Sequence, residues 1–259
     1  MPPFAFPLAG IVAGLIIGSF MATISVRWPQ GISVVNGRSH CDICDRELRY
    51  FELIPLLSYV FQSGKCRECE SPINPEHPAI ELAAAVIGGV ALFVAPSLTG
   101  VVGAIFGWQL LLLAVLDVKH HWLPDKLTYM LIISGVLAAL ALDVPDFGDR
   151  IIGGVAGFGS LFVIAVTYKY IRKRDGLGAG DAKLLAGIGC WLGWMVLPLV
   201  VLMASLVGIV AATLLLMRQR KVLADTALPF GSYLAIAAFP IWVLGNAMPV
   251  ERVIQGLVW

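Results

Sequence analysis

Three aspartates lie beside long apolar segments, where an ionisable side chain is costly and therefore marks a candidate functional site. Asp117 ends one apolar segment, Asp125 precedes the next, and Asp181 lies in the glycine-rich stretch 176–183. Two carboxylates held close together cannot both ionise easily, so one keeps a proton and the pair can serve as acid and base on one water. This is the chemistry of an aspartic peptidase. Spacing alone leaves a second interpretation open, in which Asp125 and Asp181 only cap helices.

Four of the five cysteines form two Cys-x-x-Cys pairs, Cys41 with Cys44 and Cys66 with Cys69, separated by 21 residues. A tight turn lets both thiolates of such a pair face one ion, and two pairs complete a closed tetrahedral shell. The pattern therefore predicts a structural zinc site. The competing interpretation is two disulfides, which rarely persist in a reducing compartment. Cys190 lies in an apolar segment and is predicted to be a buried, inert thiol.

The elements that must position these residues are membrane helices. Hydrophobic residues make up 59% of the 259-residue chain and charged residues only 14%, against about 45–50% and about 25% in ordinary soluble domains. A single soluble core could not bury that excess, so the composition excludes a soluble globular protein. We predict an all-α polytopic membrane protein with about eight transmembrane segments, a helix crossing the membrane with about 20 residues. The segments lie near residues 4–24, 79–95, 100–116, 127–142, 151–168, 184–194, 195–217 and 228–248.

Basic residues predict the orientation of these segments. Of the 18 Lys and Arg residues, all but Arg150 and Arg252 fall in 25–78, 117–126, 169–183 or 218–227, which are alternate connections between segments. Short connections rich in Lys and Arg stay cytoplasmic. We therefore expect both termini outside and the cysteine insert inside. All three aspartates are then expected at the cytoplasmic edge of the membrane.

The order and spacing of these features resemble those of the bacterial type IV prepilin peptidases, also called leader peptidase/N-methyltransferases, which are GxGD-type membrane aspartic proteases. The resemblance covers nearly the whole chain. Beside the cysteine pairs and Asp117, it is carried by Gly18-Ser19-Phe20, Ile54-Pro55, Ser58-Tyr59, Leu123-Pro124-Asp125, Gly178-Ala179-Gly180-Asp181, Trp191-Leu192-Gly193 and Pro229-Phe230-Gly231. One departure is His77, which stands before Pro78 where the family usually has an aromatic residue.

The resemblance implies a function and a set of site residues. Asp117 and Asp181 match the catalytic aspartates, and cleavage is expected after a glycine of prepilins or pseudopilins with basic leaders, at the cytoplasmic face of the bacterial inner membrane. Members with the four-cysteine insert typically also N-methylate the new terminus with S-adenosylmethionine, for which the sequence shows no binding residues. We expect a structural Zn²⁺, contact with lipid, and no nucleic acid. The remaining matched residues, Asp125, Gly178, Gly180 and Lys183, are expected to support the site.

The predicted organisation is a first transmembrane helix (1–26), a cytoplasmic zinc-binding insert (27–78) and a membrane-embedded catalytic helical domain (79–259). Two alternatives to the bifunctional enzyme remain open at this point. One is a peptidase alone, with the insert as a zinc-stabilised substrate clamp. The other is a multi-pass transporter or assembly scaffold with a zinc module, which would favour carboxylates at mid-membrane depth and internal repeats.

Overall fold

The structure is a computed structural model, and it describes residues 4–34, 38–41, 43–174, 176–218 and 228–247. These residues form helices without strands, so the predicted all-α class is confirmed; the only β-pairing among them is two isolated bridges. The α-helices are α1 (Ala5–Arg27), α2 (Leu57–Phe61), α3 (Glu76–Val94), α4 (Leu98–His120), α5 (Asp125–Leu137), α6 (Phe147–Arg172), α7 (Ala179–Leu192), α8 (Leu197–Arg218) and α9 (Phe230–Ala247).

Six of these helices are long and apolar enough to cross a membrane, namely α1, α3, α4, α6, α8 and α9. The other two predicted segments correspond to α5 and α7, which have 13 and 14 residues. Both are shorter than the span of about 20 residues that the hydrocarbon layer requires. Of the predicted basic residues, Arg220, Lys221 and Arg252 lie outside the described residues.

The chain divides into two compact units, Met1–Leu112 and Leu113–Trp259. In the first unit, α1 packs antiparallel to α3 along glycines spaced four residues apart. A Cβ on Gly10 would collide with the backbone of Gly88, and a Cβ on Gly18 would lie 2.7 Å from the Cα of Glu81. Small residues at this spacing let two helix backbones approach closely, which replaces the hydrophobic driving force that lipid removes.

The second unit is built around α7. Its residues from Asp181 to Trp191 are buried, apart from the half-buried Lys183, and α5, α6, α8 and α9 all pack against it. Glycines again allow the close approach, because a Cβ on Gly153 of α6 would collide with the backbone of Gly189 of α7. A short helix enclosed by its neighbours can lie at membrane depth without facing lipid along its whole length.

Arg150, in the first turn of α6, is fully buried. Its guanidinium group has no carboxylate partner among the described residues and instead donates to carbonyl oxygens of Pro145 (2.9 Å), Gly135 (3.0 Å) and Cys190 (3.1 Å). The last two belong to the carboxyl ends of α5 and α7, where carbonyl groups lack helical partners and the helix dipole is negative. One cation therefore joins three helix ends.

Candidate active site and candidate metal centre

Asp117 and Asp181 come from different helices and converge on the amino end of α9. Asp117 lies in the last turn of α4, and Asp181 is the third residue of α7; the two are 6% and 7% exposed. The position that a Cβ on Gly231 would occupy is 2.9 Å from Asp181 Oδ1 and 3.1 Å from Asp117 Oδ2. These two oxygens are therefore at most about 6 Å apart. Only glycine at residue 231 leaves that space open.

Ser232, in the first turn of α9, is fully buried and contacts Asp117. The Ser232 backbone N–H donates to Asp117 Oδ2 at 2.7 Å, and the Ser232 Oγ lies 2.9 Å from the same oxygen. The hydroxyl also lies 3.0 Å from the Ala114 carbonyl oxygen, one turn before Asp117. The free N–H groups at a helix amino end and the helix dipole favour a negative charge, so this end of α9 can hold an ionised Asp117.

Asp181 has a different environment. Its carboxylate accepts a hydrogen bond from the Gly178 N–H at 3.2 Å, which fixes the start of α7. Burial, and after it the nearby Asp117 carboxylate, raise the pKa of Asp181 to about 6, although the backbone N–H groups of Gly178 and Gly231 act to lower it. Asp181 therefore retains its proton to higher pH than an ordinary aspartate. The two aspartates therefore lie in unequal environments, as a pair that works as acid and base requires.

The structure places Asp125 apart from this pair. Its carboxylate is 59% exposed and bonds the Lys183 Nζ at 2.6 Å, and Lys183 also lies over the Tyr129 ring, 5.5 Å from its centroid. Asp125 is the first residue of α5 and Lys183 lies in the first turns of α7. The pair therefore joins the starts of two helices and does not face Gly231.

Gly180, in the stretch 178–181, leaves room for a neighbouring side chain. A Cβ on Gly180 would lie 2.9 Å from the Leu123 side chain, and Leu123 also approaches Gly231. Leu123 thus lies against the amino ends of both α7 and α9. Sequence reasoning missed the contacts of Leu123, Gly231 and Ser232, although Leu123 and Gly231 belong to matched motifs. These contacts join residues 50 or more positions apart, which no local pattern encodes.

The four cysteines of the insert come together as predicted. Their Sγ atoms all lie within 4.8 Å of one another, and Cys41 Sγ is 3.9 Å from Cys69 Sγ. Bonds of about 2.3 Å to a tetrahedral zinc require sulfur–sulfur distances of about 3.8 Å. All five cysteines are free thiols, and Cys190, which is buried in α7, is not a member of the cluster. The donor set and its spacing fit a closed four-sulfur metal site.

Two similar turns present these thiols. In each, an isolated bridge joins the residue before the first cysteine to one after the second, His40 with Glu47 and Lys65 with Pro72. The residue that follows each second cysteine is left-handed, with φ of 55° at Asp45 and 53° at Glu70. The same backbone turn is thus used twice, which places two Cys-x-x-Cys pairs around one centre.

A buried ion pair connects the first of these turns to the rest of the insert. Arg46 donates to both carboxylate oxygens of Glu52, at 3.0 and 2.8 Å, and the Glu52 side chain is only 1% exposed. Arg46 also approaches Cys66 Sγ at 3.8 Å. Backbone N–H groups of Cys69 and Glu68, and then Arg46, lower the pKa of the Cys66 thiol to about 6. At Cys66 the insert therefore favours the thiolate form that a metal needs.

Comparisons with known proteins cover both parts of the chain. Residues 12–95 match the bacterial peptidase A24 N-terminal domain, and residues 104–213 match the type IV leader peptidase family. The chain is 33% identical to the prepilin leader peptidase/N-methyltransferase of Stutzerimonas stutzeri and 34% identical to that of Pseudomonas aeruginosa. Each alignment covers 94% of this chain and 92% of the relative.

A third relative is the type 4 prepilin-like proteins leader peptide-processing enzyme of Escherichia coli O78:H11, with 32% identity over 90% of this chain and 92% of the relative. No solved structure matches the chain. The similarity to full-length relatives extends across the cysteine insert and both aspartate motifs. The chain therefore belongs to the type IV leader peptidase family.

Proposed function

We propose that this chain is a membrane aspartic endopeptidase that removes the leader peptide of type IV prepilins or pseudopilins after a glycine, and that it N-methylates the new amino terminus. Membership of the leader peptidase family and the names of the relatives support both activities. We place the enzyme in the bacterial inner membrane with the insert and the aspartates on the cytoplasmic side, as the distribution of basic residues favours.

The observation that carries the peptidase proposal is the convergence of Asp117 and Asp181 on Gly231. Two buried carboxylates whose oxygens are at most about 6 Å apart can share one water molecule between them, provided that their protonation states differ. Donation from Ser232 to Asp117 and the raised pKa of Asp181 provide that difference.

The proposed reaction gives each aspartate one role. Asp117 is ionised and takes a proton from the attacking water, while protonated Asp181 donates its proton to the carbonyl oxygen of the scissile bond. The tetrahedral intermediate then collapses as its hydroxyl returns a proton to Asp181. Asp117 gives its proton to the leaving amine nitrogen as the C–N bond breaks. Both aspartates end in the states in which they began.

For the second activity, we propose that the insert 27–78 is a module held by structural Zn²⁺ on Cys41, Cys44, Cys66 and Cys69. S-adenosylmethionine, when bound, supplies an electrophilic methyl group for the new terminal amine. We retain 1–26 as the first transmembrane helix and 79–259 as the catalytic helical domain. A leader with basic residues suits an active site at the cytoplasmic surface, where lipid headgroups are anionic.

The test is cleavage of a prepilin by the purified protein in lipid nanodiscs, followed by mass spectrometry of the product. Asp117→Asn and Asp181→Asn should each lower cleavage on the order of 10³-fold or more, because each removes one proton-transfer group. Asp143→Asn, in the outer connection between α5 and α6, is the matched control and should cleave normally. Retained cleavage in either active-site variant would remove that residue from the mechanism. A product 14 Da heavier with S-adenosylmethionine tests the methyltransferase separately.

A further inference from the structure

A cavity of about 180 Å³ lies within the first unit, between the insert and the helices α1 and α3. The membrane helices contribute Ser19 and Thr23 from α1 and Glu81 from α3, and the insert contributes Tyr59 of α2 and Gln62, which directly follows α2. Its walls therefore combine hydroxyl, amide and carboxylate groups with a guanidinium group, that of Arg27 at the end of α1. The aspartate pair lies in the other unit and forms no part of it.

Glu81 differs from the other residues of this lining because its carboxylate is buried with few partners. It is 8% exposed, on the second turn of α3. Across the described residues the structure gives its carboxylate one hydrogen bond, from the Leu56 N–H at 2.8 Å, and no salt bridge. A buried carboxylate normally has a cation or several donors, because removing its charge from water is costly. The other buried glutamate of this wall, Glu52, has Arg46 as such a partner.

The backbone that contacts Glu81 is strained. Leu56 has φ of 58° and ψ of −47°, a conformation that a leucine rarely adopts. This conformation presents the Leu56 N–H to Glu81 and links the insert to α3 at the cavity wall. On the other side, α1 packs so closely that a Cβ on Gly18 would lie 2.7 Å from the Glu81 Cα. The insert thus contacts the carboxylate of Glu81, and α1 packs against its backbone.

We propose that this cavity binds the methyl donor and that Glu81 is the counter-charge for its cationic methionine end. The inference rests on the proposed methyltransferase activity. S-adenosylmethionine carries positive charge on its sulfonium and its ammonium groups, and both form a charge-assisted contact with a carboxylate. A cavity of about 180 Å³ accommodates this compact end, and the hydroxyl and amide groups of its wall can bond the carboxylate and ribose. The carboxylate is buried beforehand, so little reorganisation accompanies binding.

The test is equilibrium dialysis of radiolabelled S-adenosylmethionine against the full-length zinc-loaded protein in nanodiscs. Glu81→Gln keeps the shape of the side chain and its contact with Leu56 but removes the charge. It should weaken donor binding tenfold or more, while zinc content and leader cleavage stay at wild-type levels. Glu47→Gln makes the same change at an exposed position of the insert, where Arg38 is the partner, and should bind the donor normally.

Other outcomes separate the inference from the function on which it rests. If wild type binds the donor and Glu81→Gln binds it equally well, the counter-charge proposal is wrong, whatever the methyltransferase does. If Glu81→Gln binds the donor normally but no longer retains a cleaved pilin peptide, the carboxylate serves the substrate amine, which also overturns the proposal. A wild-type protein that cleaves leaders, binds no donor and adds no methyl group contradicts both the cavity assignment and the proposed second activity.

Discussion

The cysteine cluster and the aspartate pair are two sites of similar size that are assembled in opposite ways. Each half of the cluster is a local turn of a few residues, used twice with the same left-handed position. The aspartate pair instead depends on the ends of α4, α7 and α9, from Asp117 to Ser232. A locally assembled site needs a metal to hold its parts together, whereas a site built from helix ends is held by the packing of the bundle.

The strongest test of this contrast concerns the metal. Cys41→Ser should reduce bound zinc from about one equivalent to nearly none, because three thiolates no longer close the tetrahedral shell. The measurement is metal analysis of the purified protein, together with limited proteolysis of the insert. Cys190→Ser, which removes the cysteine of α7, should keep its zinc. Unchanged metal content in Cys41→Ser would contradict a four-sulfur site.

The second test concerns the close packing at the aspartate pair. Gly231→Ala should reduce cleavage on the order of 100-fold, because the new methyl group would lie about 3 Å from both carboxylates and displace them. Gly245→Ala, on the same helix, places its Cβ in open space and serves as the control. The comparison requires kcat/KM of both variants with equal amounts of inserted protein. Similar rates would show that residue 231 does not set the geometry.

A third test uses pH to distinguish the roles of the two aspartates. The folded-state pKa of Asp181 is raised to about 6, and the proposed mechanism requires its protonated form. In the free enzyme, kcat/KM should therefore fall about tenfold for each pH unit above that value. The profile is measured from pH 5 to 8 with a prepilin peptide. A rate that stays constant or rises over this range would assign the proton donor to another group.

The smallest effect is expected at the exposed ion pair. Asp125→Asn should change cleavage by no more than about threefold, because an exposed salt bridge contributes only about 0.2–1 kcal/mol. Cleavage kinetics and thermal unfolding in detergent measure the two consequences. A loss comparable to that of the active-site variants would place Asp125 in the catalytic machinery.

The sequence predicted the helical class, the clustering of four cysteines and the convergence of two aspartates, since these follow from composition, local spacing and family resemblance. It also located the helices, but α7 begins at Ala179 where the predicted segment began at 184, and α5 ends at Leu137 where the predicted segment ended at 142. It could not predict that Ser232 would bind Asp117 or that Gly231 would lie between the carboxylates, because these contacts join residues 50 or more positions apart. The cavity beside Glu81 could likewise not be predicted from the sequence, since it depends on how the insert lies against α1 and α3.

The buried Arg150 has a consequence for biogenesis. In the proposed orientation this residue enters the outer side of the membrane, against the usual retention of basic residues in the cytoplasm. The opposite end of the same helix carries Lys169 and Arg172, followed by Lys173 and Arg174, and this larger charge can dominate the choice of orientation during insertion. Once α5 and α7 are in place, their carbonyl groups surround the guanidinium group. The guanidinium group of Arg150 thus gains its hydrogen bonds only after the neighbouring helices assemble. Insertion of α6 into the membrane is therefore completed by the folding of the helices around it.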